Sequence, residues 1–383
     1  MSNNFQIQSL PPLSLYIHIP WCVRKCPYCD FNSHTTDNIP EAEYVSALLA
    51  DLDLELEFVD DRPLQSIFFG GGTPSLFSPA AIATILNGVA KRMTFADSIE
   101  ITLEANPGTI EQQKFIGYQK AGINRLSIGV QSFNASHLKS LGRIHSNQEA
   151  IHAAKSAIKA GITNFNIDLM HGLPEQSASQ ALDDLQQAIE LGVTHLSWYQ
   201  LTIEPNTAFF SSPPLLPEDD QLADIQLAGE QLLNTAGLSQ YEISAYSRDN
   251  KQAKHNINYW EFGDYIGIGA GAHGKLTTLT DQGIFRRWKT RAPKDYLNKE
   301  NTYLAGNKNI DAEELPLEFL MNALRLNRGF HRTLFANRTG LNIAIIEPQL
   351  RSLFHKNLLQ EINGTIATTD LGRRFLNSVL TEF

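Results

Sequence analysis

The sequence predicts an α/β protein: an incomplete (β/α)6 barrel carrying a smaller C-terminal α/β domain. Three observations lead there. Between Ser14 and Gly237 a short apolar stretch is followed by a stretch of helical periodicity six times in succession, the pattern of parallel strands with right-handed crossovers. The chemistry-bearing residues gather where those strand stretches end, and parallel α/β folds build their sites at C-terminal strand ends. A ring of strands brings six such ends together, whereas a flat sheet spreads them apart. Past about Asn250 the alternation stops, so the remainder is expected to be organised differently.

Ser14–Ile19 alternates and is rich in large apolar residues, which predicts a strand. Behind Pro40, Tyr44, Leu48, Leu52 and Leu56 recur at helical spacing, giving a helix over 41–58. Ser66–Phe69 is the second strand, followed by Gly70-Gly71-Gly72-Thr73-Pro74 and a helix over 79–92. The next three units pair a strand at 99–103 with a helix at 110–121, 125–130 with 149–160, and 165–169 with 177–191. His195–Gln200 is the sixth strand, and its helix over 217–236 ends at Gly237, a natural C-terminal stop.

The expected organisation is an N-terminal arm over 1–13, the partial barrel over 14–249, a connecting segment over 250–310 and a C-terminal domain over 311–383. That last segment suggests helices over 315–326, 348–358 and 371–380 with a hairpin through Gly364, a winged-helix-like arrangement. It carries eight acidic and eight Lys or Arg residues. A nucleic-acid reader shows a basic face, so packing or partner contact is the expectation here. The whole chain has a net charge of -10, which opposes broad attachment to nucleic acid or anionic lipid. Residues 1–13 lack a basic and then apolar leader pattern, and no apolar run approaches the ~18 residues of a spanning helix. A cytoplasmic location is expected.

All three cysteines of the chain, Cys22, Cys26 and Cys29, lie within eight residues directly after the first strand. Thiolates so spaced can converge on one soft metal centre from a single loop. A four-iron cubane needs four ligands, so three cysteines leave one iron open to a small molecule. The alternative is a Cys3His zinc site completed by His18 or His34.

The spacing CxxxCxxC is the signature of radical S-adenosylmethionine (SAM) enzymes. With Tyr16-Ile17-His18-Ile19-Pro20-Trp21 before it and Asp30-Phe31-Asn32-Ser33-His34 after it, the chain resembles the oxygen-independent coproporphyrinogen III oxidase family, most closely its HemW-type heme chaperone branch. The resemblance runs from Ser14 to beyond Gly274 and more loosely to the C-terminus. It implies a radical SAM barrel that holds a [4Fe-4S] cluster on Cys22, Cys26 and Cys29 and cleaves a carbon–sulfur bond of SAM reductively.

Glycine-rich backbone can approach a ligand closely, and Gly71, Gly72 and Thr73 match the family segment that receives the methionine amino group. Glu104, in Glu104-Ala105-Asn106-Pro107-Gly108, is an acid at a strand end suited to ribose hydroxyls or an ammonium. Gln131, Arg143 and Asp168 match the remaining SAM positions. Arg143 suits the methionine carboxylate, while Gln131 and Asp168 suit ribose or adenine edges. Tyr16 and Tyr28 also stand at SAM-contacting positions in the family. Taken singly, polar residues such as Glu104, Gln131, Arg143 and Asp168 are more often ordinary loop contacts; packing under the loop is the alternative for Tyr16 and Tyr28, and a tight strand-to-helix turn for the glycine run.

In the second half, His255-Asn256-Ile257-Asn258-Tyr259-Trp260 matches the HNxxYW motif of the heme chaperones. His255 is the candidate iron ligand, with Tyr259 and Trp260 flanking a porphyrin; a buried aromatic corner is the alternative. Gly263–Gly274 is expected to be a flexible loop over the site. Arg286, Arg287, Lys289 and Arg291 are candidate clamps for propionate carboxylates, or else a solvated basic edge.

Two departures separate the chain from the oxidases of the family: Phe31 stands where they carry a further cysteine, and the arm before Tyr16 is shorter. The expected function is therefore binding of cluster, SAM and heme, with heme handed to acceptor proteins, respiratory ones at the inner membrane included, and with an electron donor as a further partner. Decarboxylation of coproporphyrinogen III is the alternative, and a metal-stabilised binding module without SAM chemistry is the third.

Overall fold

The computed structural model describes residues 6–36, 38–109, 112–248, 251–298 and 302–383. The expected helix start at Ile110, the 249/250 boundary and the first five residues of the arm lie outside them.

Six parallel strands, β1 (Leu13–Ile19), β2 (Leu64–Gly71), β3 (Phe95–Ala105), β4 (Arg125–Gln131), β5 (Phe165–His171) and β6 (His195–Gln200), pair in chain order. Each is followed by a helix: α1 (Glu41–Glu55), α2 (Pro79–Ala90), α3 (Gln112–Ala121), α4 (Asn147–Lys159), α5 (Ala178–Glu190) and α6 (Asp219–Thr235). The period-2 pattern of β1 explains its two faces. Leu13, Leu15, Ile17 and Ile19 are fully buried in the core beneath the helices, while Tyr16 and His18 face the interior of the arc. Capping boxes start α4 at Ser146/Glu149 and α5 at Ser177/Gln180, satisfying free backbone N–H groups at both ends of the reciprocal pair.

The arc extends at both edges. β7 (Ser239–Glu242) and β8 (Ala245–Ser247) form a hairpin antiparallel to β6. After the short α7 (Lys254–Trp260), β9 (Asp264–Ile268) pairs parallel to the other side of β1, and β10 (His273–Thr278), β11 (Gly283–Lys289) and β12 (Leu304–Asn309) continue as an antiparallel meander. The sheet order is β12-β11-β10-β9-β1-β2-β3-β4-β5-β6-β8-β7, and β12 does not pair with β7. The barrel is open, as expected.

Gly263–Gly274 is therefore not a flexible cover. It contains all of β9, the turn into β10, and that strand's first two residues. The glycines hide the strand periodicity, yet they are what the pairing needs: a Cβ on Gly267 would lie 2.0 Å from the carbonyl oxygen of His273.

The C-terminal part packs α8 (Leu315–Ala323), α9 (Arg332–Thr339) and α10 (Glu347–His355) against a three-stranded sheet. Its strands β13 (Phe330–His331), β14 (Leu359–Ile362) and β15 (Thr365–Thr368) run in the order β13-β15-β14, with the β14–β15 hairpin turning at Gly364 as expected. α9 was not expected; its apolar residues are few, and it ends at left-handed Gly340. The expected helix over 371–380 breaks into two short ones at Phe375. The N-terminal arm crosses to this unit: Ile7 is buried in its core, and the Gln6 N–H donates to the Gly340 carbonyl at 2.9 Å.

Candidate metal centre and cofactor cavity

The C-terminal ends of β1–β6 enclose a cavity of about 350 Å³. Cys22, Cys26, Cys29, Tyr28, Gly71, Gly72, Thr73, Glu104, Gln131, Arg143 and Asp168 all line it. Residues from six separate stretches thus meet, as the strand-end pattern predicts. Tyr16 stands apart from them, on the wall of a second, larger cavity, sharing a hydrogen bond with His18 Nδ1 at 3.0 Å.

Local backbone explains why these positions carry these residue types. Gly71 has φ 111°, and a Cβ there would lie 2.4 Å from the His18 ring; one on Gly72 would lie 2.5 Å from the Trp21 carbonyl oxygen. Gln131 takes φ 70° at a register shift between β4 and β5, a bulge that re-aims its side chain. Tyr199 Oη donates to Gln131 Oε1 at 2.9 Å and holds it there.

Arg143 is clamped inside the cavity. Its Nη2 donates to Asn106 Oδ1 at 2.7 Å and to the Gly129 carbonyl at 2.5 Å, and Nη1 approaches Cys26 Sγ at 3.7 Å. Its Nε is buried with no hydrogen-bond partner, an unmet donor in a built pocket. Asn106, which sequence reasoning missed, joins two parts of the wall, since its Nδ2 also donates to Thr73 Oγ1 at 2.9 Å. The only signal for it was its place beside Glu104 at a strand end.

Two carboxylates sit deep in the wall. Burial first, then the neighbouring Asp168, pushes Glu104 up to about 8, against the Gly71 N–H that donates to it at 3.2 Å. Burial also raises Asp168, opposed by hydrogen bonds from Asn166 at 2.7 Å and Ser127 at 3.0 Å. A ligand bringing positive charge would relieve this strain. The thiols of Cys22 and Cys29 are likewise pushed up by burial, so a metal that takes them as thiolates must displace protons.

The zinc alternative lacks its histidine. His18 shares one nitrogen with Tyr16 Oη and the other with the Asn32 carbonyl at 2.8 Å, and His34 Nε2 lies 3.3 Å from Asn32 Oδ1. Among the described residues no three Cys, His, Asp or Glu side chains converge closely enough to hold a single ion.

The second cavity, about 1030 Å³, opens beside the first and shares Glu104, Asp168 and Trp260 with it. Aromatic rings, Phe68, Tyr259, Trp260, Tyr265 and Trp288 among them, share its walls with polar and charged side chains such as Arg125, Asn166 and Arg291. His255 is not on that wall. It is 1% exposed, with Nδ1 2.9 Å from Ser66 Oγ and Nε2 2.7 Å from Tyr259 Oη, and burial followed by the Arg125 cation holds it down at about 3. The imidazole props Tyr259 from behind with both nitrogens occupied, so in this structure it presents no free nitrogen to the cavity.

The basic stretch is corrected. Arg287 pairs with Glu55 at 3.0 Å, Lys289 with Asp51 and Glu55 at 2.5 Å each, and Arg286 with Glu318 at 2.5 Å and with Tyr265 Oη at 2.8 Å. These cations tie β11 to α1 and α8. Arg291, just past the strand, does line the larger cavity.

Comparison with known proteins agrees with this geometry. Residues 16–188 match the radical SAM superfamily, and residues 310–375 match the HemN C-terminal domain. The chain is 54% identical over 375 residues to the heme chaperone HemW of Escherichia coli (strain K12), covering 98% of both chains. The chain belongs to the HemW family of radical SAM proteins. A second relative, the heme chaperone HemW of Haemophilus influenzae, is 52% identical over 98% of both chains. Radical S-adenosyl methionine domain-containing protein 1, mitochondrial, of Danio rerio is 35% identical over 92% of this chain and 80% of its own. Coproporphyrinogen III oxidase (HemN) from Escherichia coli, a radical SAM enzyme, has the same fold at 22% identity, with a TM-score of 0.81 over 97% of this chain and 90% of its own.

Membership of this family implies a [4Fe-4S] cluster and SAM, and the residues present fit both. Three thiols rim one cavity without a competing histidine, the glycine cradle has no room for a Cβ, and Arg143 keeps a buried donor without a partner.

Proposed function

We propose that the chain is a heme chaperone, binding heme in the larger cavity beside a cluster-and-SAM site and handing it to acceptor proteins. The observation that carries this reading is the aromatic-walled cavity of about 1030 Å³ opening directly onto the cysteine-lined one. Its size is at the upper end for organic ligands, and flat rings suit a flat macrocycle.

In the smaller cavity Cys22, Cys26 and Cys29 would hold the cluster. Gly71, Gly72 and Thr73 would receive the amino end of SAM and Arg143 its carboxylate, with Nε available for that bond. Glu104 would face the ammonium or the ribose hydroxyls of SAM, and Gln131 and Asp168 the ribose or adenine edges, with Tyr28 as wall. When bound, the pair supplies one-electron reductive cleavage of a carbon–sulfur bond. The protein's part is to exclude water around Glu104 and Asp168 and to keep Arg143 aimed by Asn106 and Gly129. Tyr16, Tyr259 and Trp260 would flank the heme. The domain division proposed is 14–249, 250–310 and 311–383, the last supported by the match over 310–375. Among the described residues no helix is long and apolar enough to cross a membrane; a cytoplasmic protein that visits the inner membrane and takes electrons from a separate donor fits this reading.

The test is anaerobic. Cluster-reconstituted protein is incubated with coproporphyrinogen III, SAM and a reductant, while heme binding and its passage to an apo heme protein are followed in parallel. Heme uptake and transfer without protoporphyrinogen IX is the expected result. Porphyrinogen turnover without heme binding would replace the chaperone by an oxidase.

A further inference from the structure

The larger cavity has more than one imidazole on its wall, but their nitrogens are not equally available. His18 is bonded at both, as described above. His195 is bonded at both too, to Asn166 Oδ1 at 2.7 Å and Tyr241 Oη at 2.8 Å. The phenols are also engaged: Tyr259 with His255, Tyr265 with Arg286, and Tyr16 with His18. His273 differs. It is exposed, lines the cavity, and its ring makes no hydrogen bond among the described residues.

Its position is well defined. His273 begins β10 directly opposite Trp288 on β11, so the two side chains share a face of the sheet. The turn before it is pinned by backbone bonds from Gly271 N to the Thr290 carbonyl at 2.9 Å and from Lys289 N to the Ala272 carbonyl at 2.8 Å. Asn32, three residues past Cys29, adds two more: its Nδ2 donates to the carbonyls of Ala270 and Arg291, each at 2.9 Å. Gly271 has φ 83°, and a Cβ there would strike the Asn32 side chain at 2.3 Å. The exit of the cysteine loop thus fixes the turn that presents His273. Arg291, on the same rim, has no carboxylate partner among the described residues, so its guanidinium is available to an anion.

We propose that His273 is the protein ligand to the iron of a heme seated in the larger cavity, with Arg291 pairing one propionate. This rests on the heme-handling function proposed above. The bond is a donation of an imidazole nitrogen lone pair to iron; no electron transfer is involved. Partial desolvation against the cavity wall, then the Arg286 and Arg291 cations, hold the His273 pKa below the ordinary range, which favours the neutral, ligating form.

Cluster-loaded protein is titrated with hemin under anaerobic conditions, and difference absorption and electron paramagnetic resonance spectra are recorded for wild type, His273→Gly, Arg291→Gln and His255→Gln. His273→Gly is expected to lose the histidine-ligated spectrum and to bind hemin about tenfold more weakly. Added imidazole should restore the spectrum, which a merely structural defect would not allow. Arg291→Gln is expected to keep the spectrum and lose affinity; unchanged affinity there would remove the propionate contact. A wild-type spectrum and affinity in His273→Gly would overturn the ligand assignment while leaving heme binding intact. So would loss of the spectrum in His255→Gln alone. Wild type that binds no hemin would overturn both this assignment and the function beneath it.

Discussion

At the scale of single residues, the site keeps its acids under tension. Glu104 stands at about 8 because it is buried beside Asp168, so near neutral pH it is mostly protonated when no cation faces it. A positively charged ligand that contacts Glu104 needs the carboxylate, so its binding releases a proton below that value. We expect SAM affinity to rise about tenfold per pH unit up to pH ~8 and then level off. Calorimetric titration in two buffers of different ionisation enthalpy measures the proton release, and Glu104→Gln should abolish it. A flat profile in wild type would remove Glu104 from cation contact. The stability effect has the opposite sense. The folded pKa lies above the unfolded value of about 4.3, so this group's contribution is greatest at low pH and declines as pH rises through that interval.

At the scale of elements, β9 and β10 depend on one buried charge. Asp264 is fully buried at the start of β9; it accepts from Lys275 at 2.8 Å, Arg62 at 2.7 Å, and the Thr277 N–H and hydroxyl at 3.0 and 2.8 Å. Burial alone would raise its pKa, but the Lys275 and Arg62 cations outweigh it and hold the carboxyl below the usual range. Asp264→Asn would leave the buried Lys275 ammonium without its counter-charge, at a cost of about 3–5 kcal/mol. A thermal unfolding scan should show the loss clearly. The sign with pH follows from the depressed value: the contribution is complete above about pH 4 and disappears as pH falls through the folded pKa. Wild type and the Asn variant should therefore converge in acid. Persisting separation there would mean that the defect is one of packing, not charge.

At the scale of the whole molecule, the C-terminal unit helps to close the site. Arg325, just past α8, bonds Glu242 at 3.0 Å and lies 4.3 Å over the Trp260 ring. It joins the end of β7, the aromatic motif and the second core, and it lines the cluster cavity. Arg325→Ala should cost about 2–3 kcal/mol, because the nearly buried Glu242 loses a charged partner and the indole loses its cation. Calorimetry gives the stability, and tryptophan fluorescence reports the change at Trp260. A variant as stable as wild type would show that the two units are held together elsewhere, for instance through Ile7.

The sequence by itself determined the barrel and most of the cluster cavity. Strand and helix periods are local, each (β/α) unit carries its own, and parallel connection then forces all the strand ends to one side. Cys22, Cys26 and Cys29, Gly71 and Glu104 are legible for that reason. Tertiary structure alone decided which neighbours a side chain finds. His255 looked like a ligand because its motif is distinctive, yet Ser66 from β2, far off in sequence, takes one of its nitrogens. Arg287 and Lys289 looked like anion clamps until α1 supplied Glu55 and Asp51. Residues 264–278 hid a pair of strands because glycine, required there by backbone contact across the sheet, erases the side-chain alternation by which strands are recognised. Whether a polar atom is free or occupied is a property of packing, and no spacing along the chain encodes it.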